Sequence, residues 1–249
     1  MATPPDRTLA GAAFDRVKGA LARHAGIAPH PWRLRDRATE RATARGMPLE
    51  AYAAALDPAE LDALFERLRV AHSGFFRDEA EFIRLGEWIA ASPGARVWCA
   101  GVGEGQEAYS LAALAPHALV LGTDLSRRAI EHARHGAYAR QALEGVPAAF
   151  RGRLLEGAGV ALEVQLPERL RARVTFEVRN LLGPAPQGPF SLVVCRNVLY
   201  HLGAHARGTA LDRLAGALAA DGRLWIGERV AHPRLERLGS GLYARRDPR

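Results

Sequence analysis

Three glycines at alternate positions, Gly101, Gly103 and Gly105, follow an apolar run of strand type, Val97 to Ala100. They lead into helical apolar spacing through Tyr109, Leu111 and Leu114. A second apolar run, Ala118 to Thr123, ends in Asp124, at the carboxyl edge of what would be the neighbouring parallel strand. Glycines in such a turn let the backbone approach a bound cofactor, and a carboxylate one strand over is placed to accept hydrogen bonds from ribose hydroxyls. The glycines alone also fit a tight turn with no ligand; Asp124 at the next strand tip argues for the cofactor. Cys99 and Cys195 make neither metal-ligand spacing nor a disulfide framework, and both fall in predicted strands, where they read as small buried apolar residues.

The elements that must position these residues alternate between strand and helix. Asp78 is placed to cap a helix through Phe82, Leu85, Trp88 and Ile89, which Ser92-Pro93-Gly94 closes before the first strand. After Asp124, Ser126 caps a helix through Ile130 and Ala133 that Gly136 stops. Residues 139–172 carry several glycines and prolines, and the alternation of Val160, Leu162 and Val164 suggests a small hairpin. Val174 to Val178 reads as a strand leading into Asn180-Leu181-Leu182, and Phe190 to Cys195 as a buried parallel strand that delivers Arg196-Asn197 to its carboxyl end. A helix over Thr209 to Ala219 and a strand over Leu224 to Ile226 complete an α/β pattern that predicts a doubly wound parallel sheet.

Before this domain, residues from about 9 to 68 read as helices, which puts a boundary near residue 70. Leu9, Ala13, Val17 and Leu21 keep helical spacing to Gly26, and Asp57-Pro58 opens a helix to Arg69. Arg33, Arg37, Arg41 and Arg45, four apart, stack along one face of the helix after Pro31. One reading is a solvated face balanced by Asp36 and Glu40; the other is a docking surface for an acidic helix.

With 249 residues, 48% of them apolar, the chain can bury one good core, or one core with a small satellite domain. Its net charge of +7 is carried by arginine, with Lys18 the only lysine. No zinc-finger spacing and no basic segment interleaved with aromatics speaks for nucleic acid. No apolar stretch reaches about 18 residues, and the first residues lack a signal-peptide pattern, so the expectation is a cytoplasmic monomer without membrane insertion.

Six segments in order resemble the class I S-adenosylmethionine methyltransferases, and within them the chemotaxis receptor glutamate O-methyltransferases, the CheR family. They are H-S-G-F-F-R-D at 72–78, V-W-C-A-G-V-G-E-G-Q-E-A-Y-S at 97–110, G-T-D at 122–124, G-A-Y at 136–138, V-T-F-E-V-R-N-L-L at 174–182 and F-S-L-V-V-C-R-N-V-L-Y at 190–200. The resemblance implies a Rossmann-like domain at 71–249, an N-terminal helical docking domain at 1–70 and a small β appendage within 150–173. It implies S-adenosyl-L-methionine as cofactor, with S-adenosyl-L-homocysteine as product. The implied cofactor residues are Ser73, Arg77, Gly101, Gly103, Gly105, Glu107, Asp124, Asn180, Leu181, Arg196 and Asn197, with no metal. Arg77, Arg196 and His201 are the implied catalytic residues, which hold an acceptor carboxylate. Arg33, Arg37, Arg41 and Arg45 would dock an acidic helical substrate such as a chemoreceptor cytoplasmic domain.

The chain departs from the family pattern at Ala71 (asparagine), Val102-Gly103-Glu104 (C-S-T), Gln106 (the first of two glutamates) and His201 (a tyrosine near the transferred methyl). Two alternatives therefore stand beside glutamate methylation: a small-molecule O- or N-methyltransferase on the same scaffold, and a non-catalytic S-adenosylmethionine-binding regulator.

Overall fold

The computed structural model describes residues 7–69, 74–157 and 159–246. The chain divides into two units, Met1–Val70 with Tyr200–Thr209, and Ala71–Leu199 with Ala210–Arg249.

The first unit is built on helices α1 (Arg7–Ala25), α2 (Pro31–Ala44), α3 (Leu49–Ala54) and α4 (Pro58–Leu68). Apolar residues four apart give α1 the buried line Ala13, Val17, Leu21 and α2 the line Leu34, Ala38, Ala42; Tyr52, Leu61, Leu64 and Leu68 close the core between them. Asp57 caps α4 by accepting from Glu60 N at 2.7 Å. Tyr200–Thr209 joins this unit through backbone bonds that no local pattern announces. Ala28 N donates to His201 O at 2.8 Å and Gly203 N to Gly26 O at 2.9 Å.

Arg33, Arg37 and Arg41 each precede a position of the buried line and so lie roughly 100° around the helix from the core, and Arg45 follows at the C-cap. That flank faces α4. Glu60, 4% exposed, accepts from Arg41 Nε (2.7 Å) and Nη2 (2.6 Å), from Arg45 Nη1 (2.7 Å) and from the Tyr52 hydroxyl (2.8 Å). Of the four arginines expected to form a docking face, Arg41 and Arg45 are drawn onto a buried carboxylate. Arg37 pairs with exposed Glu40 at 2.8 Å, and Arg33 donates to Leu68 O at 3.3 Å.

The second unit begins with α5 (Glu79–Ala90) and continues β1 (Arg96–Ala100), α6 (Gln106–Leu114), β2 (Leu119–Asp124), α7 (Arg127–His135), β3 (Ala137–Ala139), α8 (Ala148–Leu154), β4 (Glu163–Gln165), α9 (Glu168–Arg171), β5 (Val174–Val178) and β6 (Phe190–Val194). Helix α10 (Ala204–Gly216), β7 (Leu218–Trp225), β8 (Leu235–Gly239) and β9 (Leu242–Arg245) complete the chain. Strand order is β5-β2-β1-β6-β7-β9-β8. The first five are mutually parallel, whereas β9 runs antiparallel to both β7 and β8. The parallel sheet expected from the sequence thus ends in an antiparallel edge hairpin at residues 235–245, which the sequence reading lacked. Strand β7 also starts at Leu218, inside the segment expected to be helical, because Phe190 pairs with Leu218 and its N–H donates to Ala217 O at 2.9 Å.

The expected hairpin at 160–164 is not formed by those residues. Val164 is buried, but Val160 and Leu162 are 96% and 89% exposed, and β4 pairs with the distant β3 instead. Arg140 holds the intervening loop by donating from Nε to Ala161 O at 2.7 Å and from Nη2 to Gly159 O at 2.6 Å.

The Glu60 network makes a testable contribution to stability. Its guanidinium partners, Arg41 first, hold the Glu60 carboxyl down to about 2. That lies below the ordinary value near ~4.3 of an unfolded chain, so the stabilisation is present above that value and fades as pH falls toward ~2. Glu60→Gln in the full chain is expected to cost about 2 kcal/mol at pH 7, less than a fully buried pair because both arginines keep solvent contact. The gap in thermal midpoint between parent and variant should narrow steadily from pH 5 to pH 3; a constant gap would show that the network does not act through this ionisation.

Candidate functional site

The sheet reverses direction of growth at β1: the chain first adds β2 and β5 on one side, then β6 and β7 on the other. The crevice at the carboxyl ends of β1 and β6 is where open α/β sheets take ligands. The residues delivered there are the glycine turn from β1, Asp124 from β2 and Arg196-Asn197 from β6.

Backbone geometry explains the glycines. Gly101, Gly103 and Gly105 have φ of 70°, 58° and 92°, which disfavour any side chain. A Cβ on Gly101 would come within 2.3 Å of Val198 Cγ2, and one on Gly105 within 2.9 Å of Ala133 Cβ. Gly101 N and Val102 N both donate to Thr123 O, at 2.7 and 3.0 Å, so the turn is bound to the end of β2. Asp124 strengthens that tie: Oδ2 accepts from Gly103 N at 2.9 Å and Oδ1 from Ser126 N at 2.8 Å. Ser126 Oγ caps α7 as expected, by accepting from Ala129 N at 3.0 Å.

Arg196 is the centre of the charged half of the site, although only 8% exposed. Its Nη1 donates to Glu107 Oε1 at 2.9 Å and to Arg77 O at 3.0 Å, and its Nη2 to Asp78 Oδ2. The guanidinium carbon lies 4.0 Å from the centroid of the Trp225 ring, with Phe82 edge-on to Trp225 at 5.1 Å. Burial pushes the Glu107 carboxyl above its ordinary value, and Arg196 pulls it back. Phe76 N donates to Ser110 Oγ at 3.0 Å, so the segment before α5 is fastened on both sides of Arg77.

Asp78 corrects an expectation. It occupies the cap position of α5 but makes no side-chain bond to the helix, and its carboxylate goes to Arg196. Together with Asp78, the sequence reading missed Trp225 and Phe82 as partners of Arg196. The signal for all three was the buried strand end at Cys195-Arg196, where a charge must find counter-charges and an aromatic face.

Asn180 accepts through Oδ1 from Leu182 N at 2.9 Å, a local turn at the end of β5 that also positions half-buried Leu181. Asn197 is held at φ 58°. Arg77 is exposed. Ser73 lies outside the described residues. His201 belongs to the helical unit; burial first, and Arg33 second, pull its imidazole below 6.5. No cluster of potential metal ligands occurs among the described residues. No helix among them is long and apolar enough to cross a membrane.

A family model described as "CheR methyltransferase, SAM binding domain" matches residues 71–237. The chain is similar to an "Uncharacterized 104.1 kDa protein in hypE 3'region" of Rhodobacter capsulatus, 31% identical over an alignment of 189 residues that covers 69% of this chain and 20% of that protein. It is similar to a "Probable chemotaxis protein methyltransferase" of Rhizobium etli, 30% identical over 190 residues, 68% of this chain and 71% of the relative. It is also similar to the "Probable biofilm formation methyltransferase WspC" of Pseudomonas aeruginosa, 30% identical over 187 residues, 68% of this chain and 44% of the relative. The match thus spans a fifth of the first relative and less than half of the third.

The residues present fit S-adenosylmethionine. A turn with glycine at every other position lies at the strand tip, the Asp124 carboxylate, an anion able to accept from hydroxyls, stands beside it, and two buried polar atoms, Gln106 Oε1 and Arg196 Nε, have no partner among the described residues. Asp124→Ala is expected to weaken S-adenosylhomocysteine binding by about tenfold to a hundredfold, the range for hydrogen bonds to a charged group, with Asp124→Asn in between. Isothermal titration calorimetry measures this, and parent-like affinity in Asp124→Ala would move the ribose away from this strand tip.

Proposed function

We propose, because this chain belongs to the CheR methyltransferase family, that it methylates glutamate side chains of a chemoreceptor-like protein, giving glutamate methyl esters. The observation that supports the reading most directly is the buried Arg196 network beside a glycine turn tied to Asp124. That site sets a glycine turn suited to a nucleoside beside a charged half in which Arg196, held by Glu107 and Asp78, fixes the backbone of Arg77.

S-adenosylmethionine supplies a methyl group already activated on a sulfonium, so the protein's task is alignment. Proximity and orientation alone can contribute roughly 7 to 11 kcal/mol in favourable cases. The glycine turn and Asp124 hold the nucleoside end, with Asn180, Leu181 and Asn197 bordering the same sheet edge. Glu107 fixes Arg196, and Arg196 fixes the backbone of Arg77. A glutamate acceptor, with an ordinary pKa near ~4.3, is ionised at neutral pH and needs no general base. In this reading Arg77, whose backbone Arg196 holds, orients the carboxylate, and exclusion of water favours a reaction in which opposite charges disappear.

Acceptor docking falls to the helical unit. With Arg41 and Arg45 engaged by Glu60, the proposed contact for an acidic helix narrows to Arg33 and Arg37. Arg37→Glu should raise the KM for a chemoreceptor cytoplasmic fragment about threefold to tenfold, as expected when a rim charge is reversed, and leave S-adenosylhomocysteine affinity unchanged. Arg41→Glu is unsuitable as a probe because it would set a second carboxylate against Glu60.

His201 favours a second reading in one respect: its imidazole, pulled below 6.5, is neutral at pH 7 and suited to act as a base toward a small-molecule hydroxyl or amine. The pH profile separates the two. Burial lowers the pH at which the imidazole takes up its proton, so the small-molecule reading gives an acidic limb on the acid side of an ordinary histidine, which His201→Tyr removes together with most activity. Glutamate methylation should instead retain most of its rate in His201→Tyr at pH 7 to 8, and the labelled product should release methanol on mild alkaline treatment. An alkali-stable product would discard the glutamate ester.

A further inference from the structure

We propose that Asp78 is a positioning residue that, hooked to Arg196, holds Arg77 at the cofactor. The inference rests on the reading of Arg77 as a cofactor-holding group, and it replaces the helix-capping role that the sequence suggests for Asp78.

The segment Gly74–Asp78 is held in an unfavourable shape. Phe76 and Asp78, on either side of Arg77, have φ of 52° and 64°, a region that non-glycine residues rarely adopt and that persists where surrounding structure imposes it. Two fixed elements impose it here. Ser110 Oγ on α6 accepts from Phe76 N, and Arg196 at the end of β6 donates to Arg77 O and to the Asp78 carboxylate.

Arg196 itself does not need Asp78 to stay in place. Glu107 supplies a counter-charge, Trp225 covers the guanidinium at 4.0 Å, and the Phe82 ring centroid lies 5.7 Å from the guanidinium carbon. The side chain of Asp78 is 65% exposed, whereas that of Arg196 is 7% exposed. A carboxylate so accessible to water adds little to the counter-charge that buried Glu107 already gives Arg196. It is the adjustable end of a contact whose other end is fixed, and Arg77 is the residue between the hook at Asp78 and the Ser110 tie at Phe76.

Two substitutions separate the hook from the backbone shape. Asp78→Gly adopts positive φ without strain but has no side chain to engage Arg196. Asp78→Asn tolerates the same φ, keeps one acceptor oxygen and removes the charge, so a general electrostatic effect would strike both variants alike. Binding of S-adenosylhomocysteine by calorimetry is expected to weaken about tenfold in Asp78→Gly and less than about threefold in Asp78→Asn, the difference that one hydrogen bond to a charged group makes. Thermal midpoints of both variants should stay within about 4 °C of the parent, the shift of roughly 1 kcal/mol or less in a chain this long.

The double substitution decides the route. If Asp78 acts through Arg77, adding Asp78→Gly to Arg77→Ala should weaken binding no further than about twofold beyond Arg77→Ala alone. Penalties that multiply would overturn the proposal, as would equal losses in Asp78→Gly and Asp78→Asn, or an Arg77→Ala variant that binds like the parent. A parent protein that fails to bind S-adenosylhomocysteine would instead overturn the cofactor site itself, so the two failures are distinguishable.

Discussion

A guanidinium buried at the end of β6 constrains everything around it. Arginine cannot shed its proton, so Arg196 must find negative charge and hydrogen-bond acceptors wherever the fold puts it. It finds them on Glu107 of α6 and on Asp78 and Arg77 O ahead of α5, with the ring of Trp225 from β7 against its face. Three separate stretches of chain are therefore referred to one group. The crevice acquires fixed walls because the alternative to meeting at Arg196 is an unpaired buried charge. The nucleoside half of the site is organised differently, through uncharged backbone: Thr123 O receives two N–H groups of the glycine turn, and Asp124 receives a third. One half of the crevice is held by charge, the other by backbone hydrogen bonds along a path that only glycine follows without strain.

What was legible in the sequence follows this division. The glycine turn, β1, α6, β2 and Asp124 lie within one short span, and the local grammar of apolar run, glycine and capping residue gives them directly. Ser126 and Asp57 were recognisable as caps for the same reason, since a cap bonds only a few residues away. Features set by distant partners were not legible. Asp78 looks like a cap until Arg196, far along the chain, claims its carboxylate. Arg41 and Arg45 look like part of a continuous stripe until Glu60, on another helix, takes them. Residues 218–222 carry the alanine-rich composition of a helix end, and pairing with Phe190 makes Leu218 the start of a strand. The hairpin of β8 and β9 offered a fairer signal, the turn Gly239-Ser240-Gly241, in which Gly241 has no room for a side chain beside Gly227.

The arginine content has a structural explanation that bears on what the surface can recognise. Arg153 donates to Ala113 O, and Arg173 to Ala112 O and Ala115 O, so two guanidinium groups satisfy the carbonyls at the carboxyl end of α6, where positive charge also complements the helix dipole. Arg134 donates twice to Phe176 O on β5, the strand at the outer limit of the sheet, and so blunts an edge otherwise open to strand pairing. Arg96 reaches the carbonyls of Gln187 and Gly188 in the approach to β6. In each case arginine replaces a glycine cap, a covering loop or a longer turn.

A net charge of +7 is for this reason a poor guide to a partner. Each guanidinium engaged by a carbonyl keeps its charge but has lost donors and freedom of movement, so it contributes to the long-range field more than to specific recognition. Specific contact with an acidic acceptor requires arginines whose donors are turned outward and whose partners are weak. On α2 that condition separates the members of one evenly spaced stripe. Glu60 binds Arg41 through two donors in a buried setting, whereas the contact of Arg37 with Glu40 is between exposed groups that water already screens. An approaching carboxylate can displace Glu40 from Arg37 at little cost, and cannot displace Glu60 from Arg41 without unpairing a buried charge.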